Sequence, residues 1–138
     1  MATFSMKSNT ILATCRPDLR RLMREVVKRF DCTIIGGTRG CYEQERLFDE
    51  GKSKAHFGES PHNFDLSFAV DVVPYPINWQ DRERMTYFAG YVMATAAQLG
   101  IALRWGGDWD GDSEVKDNHF DDMPHFELAD WRDRVIAG

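Results

Sequence analysis

The stretch SPHNFDLSFAVDVVPY (60–75) decides how this chain is read. Its second half, FAVDVVPY (68–75), is β-branched and apolar, and it stops at Pro74 and Pro76, which cannot donate to a strand ladder. It reads as a strand with one misfit, Asp71. Side chains alternate across a strand, so Asp71 shares a face with Ala69 and Val73. A carboxylate in apolar company is costly unless it is paired or holds a metal. The first half is a loop, and it carries His62. A histidine and a buried acid thus stand close together at the head of a strand.

On the N-terminal side, PDLRRLMREVVKRF (17–30) places Leu19, Leu22, Met23, Val26, Val27 and Phe30 on one helical stripe. Pro17 suits the first helical turn. Arg16, Arg20, Arg21, Arg24, Lys28 and Arg29 lie off that stripe. They read either as a solvated face or as an attraction to an anionic polymer of the cell surface. CTIIGG (32–37) reads as a strand and a turn, and YEQERLFDE (42–50) as a short helix ended by Gly51. Residues 52–67 read as a loop. On the C-terminal side, residues 80–99 read as a second long helix, burying Met85, Phe88, Ala89, Val92, Ala96 and Leu99 and stopped by Gly100. IALRWGG (101–107) and PHFELA (124–129) read as strands, separated by an acidic loop over 108–122, and WRDRVIA (131–137) as a helical tail. This order predicts an α+β fold: a small, mostly antiparallel sheet with helices packed on it.

With 138 residues, no repeat and no linker, the chain is expected to be one domain over 1–138. An apolar fraction of 43% can build a core, which argues against wholesale disorder. Seventeen basic against 22 acidic residues leave a formal net charge of −5, which speaks against a nucleic-acid partner. No apolar run approaches the ~20 residues of a membrane span, and the N-terminus does not read as a secretory signal. Cys15, Cys32 and Cys41 form no CxxC pair and read as free thiols of a reducing compartment.

Four histidines are present, His56, His62, His119 and His125. DDMPHFEL (121–128) sets His125 beside Asp122 and Glu127. A catalytic zinc takes three protein ligands and keeps a fourth position for water. His62, Asp71 and His125 can supply that set from two distant segments. The plainer reading is that Asp71 accepts hydrogen bonds from a loop and both histidines are ordinary polar residues. Asp122, or its neighbour Asp121, is a candidate general base, or else part of an acidic turn. Glu127 shares the strand face of His125 and is expected to hold a ligand in place rather than bind metal itself. Trp105 and Trp109 read as a wall near the site, with core packing equally open for Trp105.

His62, Ala69-Val70-Asp71 and Asp122-Met123-Pro124-His125 resemble the M15-type zinc peptidases. That family includes D-alanyl-D-alanine carboxypeptidases and bacteriophage L-alanyl-D-glutamate endolysins. The resemblance continues through Ser60-Pro61-His62, Gly37-Thr38-Arg39, Glu43-Gln44, Gly51-Lys52-Ser53, Val72-Val73-Pro74-Tyr75 and Leu103 to Trp109, and covers roughly residues 33–129. It implies a hedgehog/DD-peptidase-like fold, Zn²⁺ on His62, Asp71 and His125, and Asp122 as catalytic base. By the same resemblance Arg39 meets an oxyanion or a substrate carboxylate; from their own chemistry Trp109 is expected to contact substrate and Ser60 to support His62. The implied substrate is the stem peptide of bacterial peptidoglycan, cut between L-Ala and D-Glu, or at the terminal D-Ala if the chain is a carboxypeptidase. A phage endolysin would be made in the host cytoplasm and reach periplasmic peptidoglycan after release by a holin, acting as a monomer. The chain departs from the family pattern between His62 and Ala69. Asn63-Phe64-Asp65-Leu66-Ser67 is longer than the usual spacer, and Ser67 stands where a Gly is usual. A bulge there leaves His62 in place; displacement would pass its role to His56 or His119.

Three rival readings remain at this point. A non-catalytic wall-binding or phage structural module would keep the fold and lose the chemistry. A Mg²⁺ nuclease would need convergent carboxylates and a more basic surface. Asp108, Asp110, Asp112 and Glu114 around Gly111 resemble a calcium loop but miss the full EF-hand spacing.

Overall fold

A computed structural model describes residues 2–113 and 122–137. Asp121, Glu114 and His119, named above as a rival base, a calcium ligand and a replacement zinc ligand, lie outside the described residues. Among the described residues five helices and four strands follow in the order α1 (Met6–Leu12), α2 (Pro17–Val27), β1 (Cys32–Gly36), α3 (Cys41–Asp49), β2 (Ala69–Pro74), α4 (Arg82–Gln98), β3 (Leu103–Trp105), β4 (His125–Leu128) and α5 (Trp131–Ala137). A single 3₁₀ turn, Pro61–Asn63, precedes β2. The fold is α+β, and the sheet order β1-β2-β4-β3 is antiparallel throughout.

Register divides the sheet into two chemically distinct faces. Val70 pairs with Phe126, which pairs with Trp105, and Leu128 pairs with Leu103. These side chains, with Val72, face α2 and α4 and build the core with Leu19, Leu22, Met23, Val26, Phe88, Ala89 and Val92. The alternate residues turn the other way: Asp71 pairs with His125, and Glu127 lies between Ala69 and Arg104. A one-residue slip would swap the two sets, so the apolar pattern that builds the core also fixes which face carries the polar groups.

Element limits differ from the sequence reading where local chemistry intervenes. β1 shifts register between Ile34 and Gly36 and ends at Gly36. α4 starts at Arg82 because the Asp81 carboxylate accepts from the Arg84 N–H at 3.1 Å. α2 ends at Val27, with Phe30 N–H still donating to the Val26 carbonyl at 2.9 Å. α1 has no counterpart in the sequence reading. It runs along the edge of β1, where the Ile34 N–H donates to the buried Ser8 hydroxyl at 3.1 Å. That covers an edge group that would otherwise invite pairing with another strand.

The basic residues of α2 are mostly committed within the chain. Arg16 donates to the Leu66 carbonyl, Arg20 to that of Cys15 and Arg21 to that of Leu99, while Lys28 pairs with Glu25. Four of the six cations in that group therefore hydrogen-bond or pair within the chain. Cys15 and Cys32 are buried and Cys41 is exposed, all three as free thiols. No helix among the described residues is long and apolar enough to cross a membrane.

Candidate active site

Three side chains converge on the polar face of the sheet. Asp71 and His125 sit opposite one another on β2 and β4, and His62 reaches them from the 3₁₀ turn. His62 Nε2 lies 3.1 Å from His125 Nδ1, and Asp71 Oδ1 lies 3.3 and 3.2 Å from those two nitrogens. Both histidines are nearly inaccessible, at 2% and 4% exposure. His56, the alternative ligand, is exposed and pairs with Glu45 at 2.9 Å, outside this cluster.

The far nitrogen of each ring tells which nitrogen is bare. His62 Nδ1 is 2.7 Å from the Gly37 carbonyl, which can only accept, so Nδ1 carries the proton. His125 Nε2 is 2.8 Å from Glu127 Oε1, a carboxylate that accepts its proton. In the neutral rings this leaves two bare nitrogens and a carboxylate oxygen converging, all within 4.8 Å of one another. Such a set fits a borderline-soft divalent cation such as zinc, and the two outer hydrogen bonds are the supports that metal-binding histidines commonly have.

With no cation present, the same cluster draws protons instead. Burial alone would raise the Asp71 carboxyl, but the charge of His62 and hydrogen bonds from both rings hold it well below the usual carboxylate range. Burial alone would lower His125; hydrogen bonds to Asp71 and Glu127 outweigh it and push the ring up to about 10. Burial opposes the charge on Glu127 as well, yet His125 and the Trp131 indole N–H, 3.0 Å away, keep it ionised. The pocket therefore favours a positive charge at its centre, and a divalent cation supplies one.

The spacer that departs from the family pattern leaves His62 in position. Ser60 Oγ accepts from the His62 N–H at 3.2 Å, and Asn63 Oδ1 accepts from the Ser60 N–H at 3.1 Å, a reciprocal cap on the turn. Ser67 is fully buried; its N–H donates to the Thr14 carbonyl at 2.8 Å and its carbonyl accepts from the Arg16 N–H at 2.9 Å. The extra residues form a bulge pinned to the N-terminal segment, and Phe64 packs on Phe68 and Trp131.

A cleft of about 490 Å³ opens over the cluster, with Arg39, Lys52, Ser53, Trp109 and Asp122 on its walls. Asp122 Oδ2 lies 4.0 Å from His125 Nδ1, and its side chain is 40% exposed. Burial, and next the charge of Asp71, push its carboxyl above the ordinary range, as suits a group that takes and returns a proton. Arg39 Nη2 lies 3.6 Å from Asp71 Oδ2. The Trp109 ring stands 5.4 Å from that of His125. Trp105 is a core residue, its indole N–H donating to the Met123 carbonyl at 2.8 Å.

Two contributors have no role in the sequence reading, although Glu43-Gln44 is among the motifs quoted above. Gln44, the one buried residue of α3, is fully buried and hydrogen-bonded on both sides of its amide. Its helical position beside Leu47 and Phe48 hints at an inward direction but not at its partners. Gly36 is the other: a Cβ there would lie 2.8 Å from Asp71 Oδ2. Only the register shift in β1 brings its backbone so near, and nothing in the composition signals it.

A family profile described as phage L-alanyl-D-glutamate peptidase matches residues 1–129. The chain belongs to that family. Membership makes it a peptidase of the L-alanyl-D-glutamate class. The L-alanyl-D-glutamate peptidase of Escherichia phage T5 is 28% identical over 127 residues, covering 83% of this chain and 86% of that one. The peptidoglycan L-alanyl-D-glutamate endopeptidase CwlK of Bacillus subtilis (strain 168) is 31% identical over 118 residues, covering 73% of this chain and 62% of that protein. The crystal structure of the Serratia marcescens L-Ala D-Glu endopeptidase ChiX superposes with a TM-score of 0.74 at 28% identity, over 95% of this chain and 92% of that one.

Proposed function

We propose that this peptidase is a zinc-dependent phage endolysin that hydrolyses the L-alanyl–D-glutamyl bond of peptidoglycan stem peptides. The observation that carries the zinc reading is the convergence of His62 Nε2, Asp71 Oδ1 and His125 Nδ1, with the outer nitrogen of each ring tied to a carbonyl or carboxylate. Zinc bound there supplies a Lewis acid for the scissile carbonyl and lowers the pKa of attacking water. Asp122 takes a proton from the water as it adds to the carbonyl carbon. It then returns that proton to the amine nitrogen as the C–N bond breaks. Arg39 offers a guanidinium to the oxyanion or to a substrate carboxylate. Trp109 lines the cleft on the His125 side and gives the peptide a flat surface to lie on.

We propose that the protein is made in the infected cell and reaches the periplasmic wall after a holin opens the inner membrane. We propose that it works there as a monomer. The test begins with elemental analysis of the purified protein beside His62→Ala and His125→Ala. About one zinc per chain, lost in both variants, is expected; zinc retained without His62 would overturn the ligand set. Mass spectrometry of digested muropeptides then reads the bond. New N-terminal D-Glu is expected, whereas free D-Ala would mark a carboxypeptidase instead.

A further inference from the structure

Gln44 is 0% exposed and lies beneath the cleft rather than in it. Its amide is fully used. Nε2 donates to Ser53 Oγ at 3.0 Å and to the Ala55 carbonyl at 2.7 Å. Oε1 accepts from Arg39 Nη1 at 3.0 Å and from Asn63 Nδ2 at 3.1 Å. An amide offers two N–H donors and one oxygen with two lone pairs, and all are engaged. The partners belong to three segments: the β1–α3 turn through Arg39, the cleft wall through Ser53 and Ala55, and the His62 turn through Asn63. Arg39 is joined to the His62 turn a second and third time, by its N–H to the His62 carbonyl at 2.7 Å and by Asn63 Nδ2 to its own carbonyl at 3.2 Å. The backbone of Arg39 is thus fixed without Gln44; its guanidinium is hydrogen-bonded by Gln44 and otherwise meets acids, with Asp71 Oδ2 3.6 Å from Nη2. A guanidinium on a flexible stem faces substrate reproducibly only if one of its nitrogens is anchored behind it. Glu43, the other acid near Arg39, is 3.9 Å from Nε and half exposed, a weaker hold.

We propose that Gln44 is a positioning residue for Arg39: it clamps Nη1 from below so that Nη2 points past Asp71 into the cleft. The proposal rests on the peptidase reading for its catalytic consequence, not for its geometry. Buried polar networks of this kind work as a unit, and a displacement of about 1 Å at a reacting group costs on the order of a hundredfold in rate.

The experiment is a double-mutant cycle on the zinc-loaded protein with a soluble muropeptide, using Gln44→Met, Arg39→Ala and the pair, beside Gln44→Glu. Gln44→Met is expected to lower kcat/KM roughly a hundredfold at unchanged zinc content, and to cost less than about twofold once Arg39 is already Ala. Equal cost in both backgrounds would overturn the proposal, as would a Gln44→Met enzyme with wild-type kcat/KM. Gln44→Glu keeps an acceptor for Arg39 and should stay at least about tenfold more active than Arg39→Ala. If Gln44→Met does not fold, Gln44→Glu no more active than Arg39→Ala would overturn the proposal. A readout free of turnover runs alongside. The ¹⁵N guanidinium resonances of Arg39 should be separate and slowly exchanging in the wild type and averaged in Gln44→Met; no difference between the two would overturn the clamp. Wild-type protein that cleaves nothing would remove the peptidase reading, and the resonances would still decide Gln44.

Discussion

Asp122 stands apart from the three converging side chains. It is close enough to reach a water at the cluster, and burial holds its carboxyl above the ordinary aspartate range. Positioned general bases contribute about 10²- to 10⁴-fold. Asp122→Ala is therefore expected to lose activity on that scale while elemental analysis still finds the metal; lost metal would make Asp122 a ligand instead. Gly36 gives a contrasting case. A methyl group there meets Asp71 Oδ2 at 2.8 Å, closer than real Cβ atoms come, and pushes the carboxylate off its two histidines. Gly36→Ala should thus lose metal faster to a competing chelator than wild type, with an unchanged far-ultraviolet circular dichroism spectrum. Equal retention would show that Asp71 can step aside without harm.

The strands are where the sequence spoke most clearly. Alternation in FAVDVVPY identifies Asp71 as the one charged group on its strand face, beside Ala69 and Val73, because strand periodicity is local and strict. The pairing of Asp71 with His125 was not legible, since register is a property of two strands and His125 is 54 residues away. α1 was missed for a related reason: MKSNTIL is short and its one deep polar contact, Ser8 to Ile34, depends on an edge that the sequence does not display. The fate of the long spacer after His62 depended on anchors at Thr14 and Arg16, again far along the chain. Within the sheet, Phe126 is the apolar counterpart of His125: fully buried, next to it on β4 and turned to the opposite face. Phe126→Ala should cost about 3–5 kcal/mol in denaturant unfolding. A loss under 1 kcal/mol would mean that α2 and α4 close the gap.

At the scale of the whole molecule, the three thiols divide by depth. Burial pushes Cys15 and Cys32 up to about 12, so both stay protonated through the neutral and mildly alkaline range. Cys41 is exposed at the start of α3. A thiol reagent at pH 8 should therefore modify one group per native chain quickly and three only after unfolding; two or three fast reactions would contradict this packing. The two ends of the chain are just as unequal. The N-terminal segment reaches into the sheet edge through Ser8 and grips the bulge behind His62 through Thr14 and Arg16. After Trp131 every described residue of α5 is exposed. An engineer who wishes to graft a wall-targeting module onto this peptidase should splice it behind α5 and leave the front of the chain untouched, because cargo pulling there would tug on the loop that presents His62.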